Sequence, residues 1–193
     1  MEGLEELQLI RHKLKKKLDP MRYEHTLGVS FTAAALAMRW GGDLRQAELA
    51  GVLHDCAKYC TEGELIAKCR EHGVPLSEEE LKSPAVIHGK YGRYLAETKF
   101  GISDGDILNA ISYHTTGRPD MSLLEKIVFL ADYIEPGRDR APELPAVRQL
   151  AFEDLDACMR KVLSDTVRYL EKKGTHIHRD TLEAEQYYRG ERN

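Results

Sequence analysis

Helix-start and helix-stop residues recur at short intervals along this sequence, and no segment of adequate length alternates apolar and polar residues as a strand does. Asp19 before Pro20 is typical of a helix start, and the pair Gly41 and Gly42 of a helix end. The pattern predicts an all-α protein with a single domain. The expected helices cover about 2–18, 20–40, 43–59, 61–72, 84–100, 104–114, 123–135, 143–173 and 180–192.

Composition narrows the class of protein. The 193 residues include 28 Lys and Arg against 32 Asp and Glu, a formal net charge of −4, which does not favour binding to nucleic acid or to anionic membranes. The longest apolar run, 31–38, is far shorter than the roughly 20 residues of a membrane span. The four cysteines lack CxxC spacing, and no leader-like apolar stretch begins the chain. We therefore expect a cytoplasmic protein that binds neither nucleic acid nor membrane.

Several histidines and aspartates lie on helix faces that point toward the core. His25 shares a face with Val29 and Leu36, and Asp132 lies at the edge of an apolar stripe. One such histidine alone is more often a hydrogen-bonded core residue, but a buried carboxylate costs several kcal/mol without a partner. Together they resemble a ligand set for iron, manganese, zinc, cobalt or nickel in a bundle core. The set is His25, His54, Asp55, His88, His114 and Asp132.

The adjacent pair His54 and Asp55 is the most specific element of this pattern. If the third helix continues to about Tyr59, the pair projects two ligands from one helix onto one ion. Lys58 then lies on the same side, where its ammonium group could hold a phosphate as a point charge.

The order of these residues resembles the signature of the HD superfamily of metal-dependent phosphohydrolases. The sequence motifs that contain these residues are HDCAK at 54–58, HGKYG at 88–92, HTTGRPDMS at 114–122 and ADYIEPGR at 131–138. Together they are similar to the YqeK family of bacterial symmetrical bis(5′-nucleosyl)-tetraphosphatases. The resemblance covers about 21–188 and implies a single-domain HD-type helical bundle. Its expected metal-site core is 20–136, within a domain of 1–193 that adds an N-terminal helix at 2–18 and C-terminal helices at 143–192.

The resemblance also implies two divalent transition-metal ions. His25, His54, Asp55 and Asp132 would bind one ion, and Asp55 would bridge to a second that the two remaining histidines, His88 and His114, complete. Iron is the expected metal, and the donor chemistry leaves manganese, cobalt and zinc open. The implied reaction is hydrolysis of diadenosine tetraphosphate to two ADP by a metal-bridging hydroxide, with Asp55 and Lys58 as catalytic residues.

Residues beside the predicted ligands are candidates for binding the nucleotide substrate. Arg22 lies three positions before His25, and Arg138 is the last residue of the ADYIEPGR motif that contains Asp132. Each could hold a phosphate, together with Lys58, although a surface role for Arg22 is as plausible. Thr116 and Gly117 follow His114 and could offer a hydroxyl and a free backbone N–H to an anion, or form an ordinary helix stop.

Other interpretations stay open on the sequence alone. Another HD activity, such as a nucleotidase, a nucleoside-triphosphate hydrolase or a phosphodiesterase, uses the same ligand set. A non-catalytic nucleotide-binding sensor with the same fold is a hypothesis of a different class. The sequence leaves a homodimer open, and it leaves open whether His176 and His178 are more than surface or pocket-rim residues.

Overall fold

A computed structural model describes residues 2–139, 141 and 143–190 of the chain. The predicted all-α class is confirmed, since no strand occurs within these residues. The end of the last predicted helix, at 191 and 192, lies outside them. The helices are α1 Glu2–Lys15, α2 Pro20–Trp40, α3 Leu44–Leu53, α4 Glu62–Glu71, α5 Glu78–Lys82, α6 Ile87–Phe100, α7 Gly105–Tyr113, α8 Leu123–Ile134, α9 Leu144–Glu153, α10 Leu155–Lys173 and α11 Arg179–Arg189, with a 3-10 turn at Pro84–Val86 before α6.

Most helix starts follow the predicted capping chemistry. The Asp19 side chain accepts the Arg22 backbone N–H at 3.0 Å, and Thr61 with Glu64 forms a capping box at the start of α4. The short helix α5 has a capping box at Ser77 with the same spacing and was absent from the prediction. Local capping signals therefore place helix starts well, even where the helix is short.

Two predictions about the C-terminal helices are wrong. The helix expected over 143–173 is interrupted at Asp154, whose backbone is extended and whose side chain caps α10 by accepting the Ala157 N–H at 2.9 Å. The last helix is capped by His178, not by Asp180. In both cases the residue that caps the helix differs from the one expected from the sequence.

The prediction that His54 and Asp55 lie within one helix is also wrong, because α3 ends at Leu53. His54 Nδ1 lies 2.7 Å from the carbonyl oxygen of Gly51, which the backbone N–H of Asp55 would bind in a continuing helix. The next residues form tight turns, in which the Cys56 N–H bonds to the Leu53 carbonyl at 3.0 Å. His54 and Asp55 are therefore presented by a turn at the end of α3.

The packing brings the candidate ligands together from different helices. Helix α2 packs against α3 and α8, and α7 packs against α3, α6 and α8. The apolar core lies between these helices, while α10 packs against α8, α9 and α11. Within the described part of the chain, no helix combines the length and the apolar character needed to cross a membrane.

The close approach of α2 and α3 depends on a glycine. A Cβ atom at Gly51 would lie 2.8 Å from the Ser30 Cα, which is backbone and cannot turn away. We expect Gly51→Ala to lower the free energy of unfolding by about 1–3 kcal/mol, measured by urea denaturation. The matched control is Gly63→Ala in α4, where nothing lies within 4 Å and stability should stay the same or rise slightly. Equal stability of both variants would contradict this account.

Candidate metal centre

The Asp55 carboxylate lies at the centre of a cluster of four imidazoles. One oxygen, Oδ2, lies 3.5 Å from His54 Nε2 and 3.8 Å from His25 Nε2. The other, Oδ1, lies 3.3 Å from His88 Nε2 and 3.6 Å from His114 Nε2. Asp55 thus faces two separate pairs of nitrogen donors, one with each oxygen.

Asp132 from α8 lies beside the first pair of nitrogen donors, those of His25 and His54. Its Oδ1 lies 3.1 Å from His25 Nε2 and 3.9 Å from His54 Nε2. Overlapping sets of these side chains offer donor atoms within 4.8 Å of one another. The structure therefore brings all six predicted ligands to one place.

The orientation of three of the imidazoles is set by backbone carbonyls. Nδ1 of His54, His88 and His114 lies 2.7, 2.6 and 2.7 Å, respectively, from the carbonyl oxygen three residues earlier. A carbonyl only accepts, so each Nδ1 carries the proton and each Nε2 of a neutral ring presents a lone pair. The Nε2 atoms of His88 and His114 are 3.0 Å apart, so their two lone pairs face each other. A cation bound beside both nitrogens would remove this repulsion.

His25 differs, because its ring is held by a carboxylate. Its Nδ1 donates to Glu135 Oε1 at 3.1 Å, and the other oxygen of Glu135 accepts the Gly137 N–H at 2.6 Å. Glu135 is buried. An imidazole that donates to a carboxylate in this way is a more basic metal ligand through its Nε2.

The electrostatics of the cluster fit a divalent metal ion. Asp55 Oδ1 is buried and has no hydrogen-bond partner among the described residues. Burial by itself would raise the pKa of Asp55, but the neighbouring imidazoles, first His54, lower it well below its usual range. Burial also lowers the pKa of His88 to about 4, despite its contact with Asp55. An ionised carboxylate and neutral imidazoles are the protonation states in which these side chains bind divalent metals.

Three predicted cations lie beside the cluster. Arg22 Nη1 donates to Asp55 Oδ2 at 2.7 Å, and Arg138 Nε donates to the Asp132 carbonyl at 2.8 Å. Arg138 also donates to the Asp132 carboxylate. The pKa of Lys58 is lowered, chiefly by burial and against the opposing charge of Asp55. The side chains of Arg22 and Arg138 remain 33% and 40% exposed, so a substrate could reach both.

Of the two roles that the sequence left open for Gly117, the structure shows the helix stop, and the N–H is not free for an anion. Its backbone N–H is already bonded to the Tyr113 carbonyl at 2.8 Å, in a helix stop with a positive φ of 66°. A Cβ at this position would contact Leu163 and Ala184, so the residue faces the apolar core. Thr116 is buried and lines a cavity described below.

Two further residues that shape the cluster were absent from the predicted set. Thr115 Oγ1 lies 3.1 Å from His88 Nε2 and 3.0 Å from His114 Nε2, and its place directly after His114 was the available signal. Arg148 of α9 donates to the carbonyls of Ile134, Glu135 and Arg138 at 2.8–2.9 Å and so fixes the turn after α8. No local pattern connects Arg148 with that turn.

Cys56 follows Asp55 but has no role as a nucleophile in this geometry. Its thiol is buried and donates to the Gly92 carbonyl at 3.5 Å, and burial raises its pKa to about 12. We expect Cys56→Ala to keep kcat within about threefold of wild type while lowering stability by about 1 kcal/mol through the lost side-chain volume. A loss of turnover at unchanged stability and metal content would point instead to a chemical role for the thiol.

Comparison with known proteins gives a consistent set of relatives. Residues 22–137 match the HD domain family. The chain is 43% identical over 178 residues to a protein of Halalkalibacterium halodurans and 40% identical over 169 residues to one of Bacillus subtilis, both named symmetrical bis(5′-nucleosyl)-tetraphosphatase. These alignments cover 91% and 88% of this chain, and 91% and 90% of the relatives.

A solved structure shows the same fold. The crystal structure of a predicted HD superfamily hydrolase involved in NAD metabolism, from Clostridium acetobutylicum, is 40% identical in sequence and superimposes with a TM-score of 0.91. The match covers 96% of this chain and 97% of the other.

Proposed function

The chain belongs to the HD-domain family, and we propose that it hydrolyses diadenosine tetraphosphate symmetrically to two molecules of ADP. The observation that carries the proposal is the cluster around Asp55, in which each carboxylate oxygen faces two imidazole nitrogens with three cationic side chains nearby. The names of relatives at 38–43% identity over about nine-tenths of the chain support the choice of substrate.

The proposed ligands are the six side chains of the cluster, with Asp55 shared between two divalent ions. His25 and His54 face one carboxylate oxygen of Asp55, and Asp132 contacts the same two histidines. His88 and His114 face the other oxygen of Asp55. Bound ions would supply an activated water and neutralise phosphate charge in the transition state. Iron is our proposed metal, and metal analysis of the purified protein distinguishes it from manganese, cobalt and zinc, which suit the same donors.

The protein's own contribution is to hold the polyphosphate chain in place. Arg22 and Arg138 are each bonded to a carboxylate of the cluster and partly exposed, so each can also donate to a phosphate oxygen. Lys58 adds a half-buried ammonium group on a flexible side chain, which can stabilise the negative charge on the leaving phosphate. In the net reaction, one water oxygen bonds to phosphorus, one bridging P–O bond breaks, and two ADP leave.

The remaining assignments are part of the same proposal. We place the core of the site at about 20–136, with the flanking helices as supports of one domain. The four cysteines carry free thiols in the structure, which supports a reducing, cytoplasmic setting. A homodimer stays a prediction.

Product identification tests the proposal directly. We expect ADP as the sole nucleotide product when the metal-loaded protein hydrolyses diadenosine tetraphosphate, measured by ion-exchange chromatography of a timed reaction. AMP together with ATP would contradict symmetrical cleavage. Binding without turnover in the presence of iron, manganese, cobalt or zinc would instead support the sensor hypothesis.

A further inference from the structure

A cavity of about 270 Å³ lies outside the Asp55 cluster, between α5, the start of α6, the end of α7 and the start of α11. Its lining includes Lys90, Ser112, Thr116, His178 and Asp180, and none of the six proposed ligands. This volume is just below the roughly 300–1,000 Å³ of typical small-molecule pockets. The cavity therefore has a volume that suits one nucleoside.

His178 lines this cavity, and its ring carries a donor that has no partner among the described residues. The residue is 8% exposed, and its Nδ1 accepts the Asp180 backbone N–H at 3.2 Å. Because Nδ1 accepts, the proton of the neutral ring is on Nε2. That Nε2 is buried and has no hydrogen-bond partner among the described residues. A buried donor without a partner is unfavourable, so a ligand acceptor at this position would be stabilised.

The charges around the cavity favour a polar ligand without phosphate. Glu79, Glu80 and Asp180 contribute carboxylates to the lining, against Lys90 and Arg179. Glu80 is paired with Lys90 at 2.8 Å and Glu79 with Lys82 at 3.2 Å, while Arg179 is paired with Glu183. Asp180 is therefore the lining carboxylate without a lysine or arginine partner among the described residues. Carboxylates commonly bind ribose hydroxyls and repel phosphates. The hydroxyls of the lining can bind the polar edges of a base or a ribose.

The cavity adjoins the half of the cluster that contains His88 and His114. Thr116 lines the cavity, and the preceding Thr115 contacts Nε2 of both histidines. Val86 also lines the cavity, directly after the residue whose carbonyl holds the His88 ring. A nucleoside in the cavity would therefore have its phosphates beside the metal centre.

We propose that this cavity binds one nucleoside of the substrate, with the Nε2–H group of His178 donating to it, and that this anchor determines which phosphorus lies at the metal centre. The part about cleavage position rests on the proposed function, whereas nucleoside binding does not. With one nucleoside fixed, attack occurs at the second phosphorus from it, and the bond to the next bridging oxygen breaks. Diadenosine tetraphosphate and water then give two ADP.

The experiment compares wild type with His178→Asn by calorimetric titration with adenosine. Asparagine keeps the helix cap, because its side-chain oxygen can accept the Asp180 N–H, but it removes the imidazole Nε2–H. We expect adenosine to bind wild type and to bind His178→Asn roughly tenfold more weakly. The matched control is His12→Asn on the exposed face of α1, which should bind adenosine like wild type. Circular dichroism checks that each variant is folded.

Turnover gives a second measurement. In His178→Asn, the KM for diadenosine tetraphosphate should rise about tenfold. AMP and ATP should appear beside ADP, because a nucleoside that is bound less tightly no longer fixes which phosphorus is attacked. Val86→Phe, which puts a larger side chain into the same wall, should reproduce the loss of adenosine binding if His178→Asn proves unstable.

The outcomes separate this inference from the proposed function. No binding of adenosine to wild type, or equal binding to wild type and both cavity variants, overturns the nucleoside site. Adenosine binding that is lost in the cavity variants supports the site, even if wild type releases no ADP from diadenosine tetraphosphate. In that case only the proposed function and the assignment of cleavage position fail.

Discussion

Replacement of Asp55 by asparagine is expected to lower kcat for diadenosine tetraphosphate at least ~10³-fold and to deplete bound metal. Metal ions stabilise transition-state charge by several kcal/mol, and each 1.36 kcal/mol is tenfold in rate. Under the two-ion proposal Asp55 would contact both ions, because Oδ1 and Oδ2 each face a different pair of histidines. The amide has the same shape but no charge, so the fold can remain while metal binding is weakened.

The measurement combines metal content by plasma emission spectroscopy with turnover at saturating substrate. Asp43→Asn is the matched control, because Asp43 is an exposed helix cap for which asparagine is equally suitable. If Asp55→Asn keeps activity within tenfold of wild type and its metal content is unchanged, Asp55 is not a metal ligand. Loss of activity in both variants would indicate a general defect in folding.

The part of the site that local spacing could predict is the part built on regular helix faces. His25 and Asp132 lie within α2 and α8, and their direction follows from the positions of their apolar neighbours. Their assignment from the sequence agrees with the geometry of the cluster. The fold class was accessible for the same reason, since caps and glycine stops are local signals.

The errors occur where a contact that the helical pattern does not record, local or tertiary, decides the geometry. The end of α3 depends on the bond between the His54 ring and the Gly51 carbonyl, which no periodicity records. For Gly117 the sequence allows both a free N–H and a helix stop, and only the structure shows that the N–H is bonded to the Tyr113 carbonyl. Arg148 reaches the turn after α8 from a different helix, so only the fold places it there.

The His178 cavity illustrates the same limit. Its walls come from four separate parts of the chain, and the unpaired Nε2 is evident only once the start of α11 lies beside the start of α6 and the end of α7. From the sequence, His176 and His178 are interpreted as surface or pocket-rim residues at alternate positions. The significance of His178 depends on tertiary structure.

Replacement of Glu135 by glutamine is expected to weaken metal binding by about 10–100-fold, with a matching loss of activity at limiting metal. Both Glu135 oxygens accept a hydrogen bond, one from His25 Nδ1–H and one from the Gly137 N–H. Glutamine has a single acceptor oxygen, so one of the two donors must face an NH₂ group. Either arrangement disturbs the His25 ring or the turn that follows α8.

A glycine on α2 provides an independent variant for the same contact. A Cβ at Gly28 would lie 2.5 Å from Glu135 Oε2, so Gly28→Ala should displace the carboxylate and weaken metal binding in the same direction. Glu97→Gln, an exposed position on α6, is the matched control and should bind metal like wild type. Metal affinity is measured by competition with a chelating dye, independently of turnover. If both variants retain wild-type metal affinity, the Glu135 carboxylate does not position His25, and the ring must be held by its packing within α2 alone.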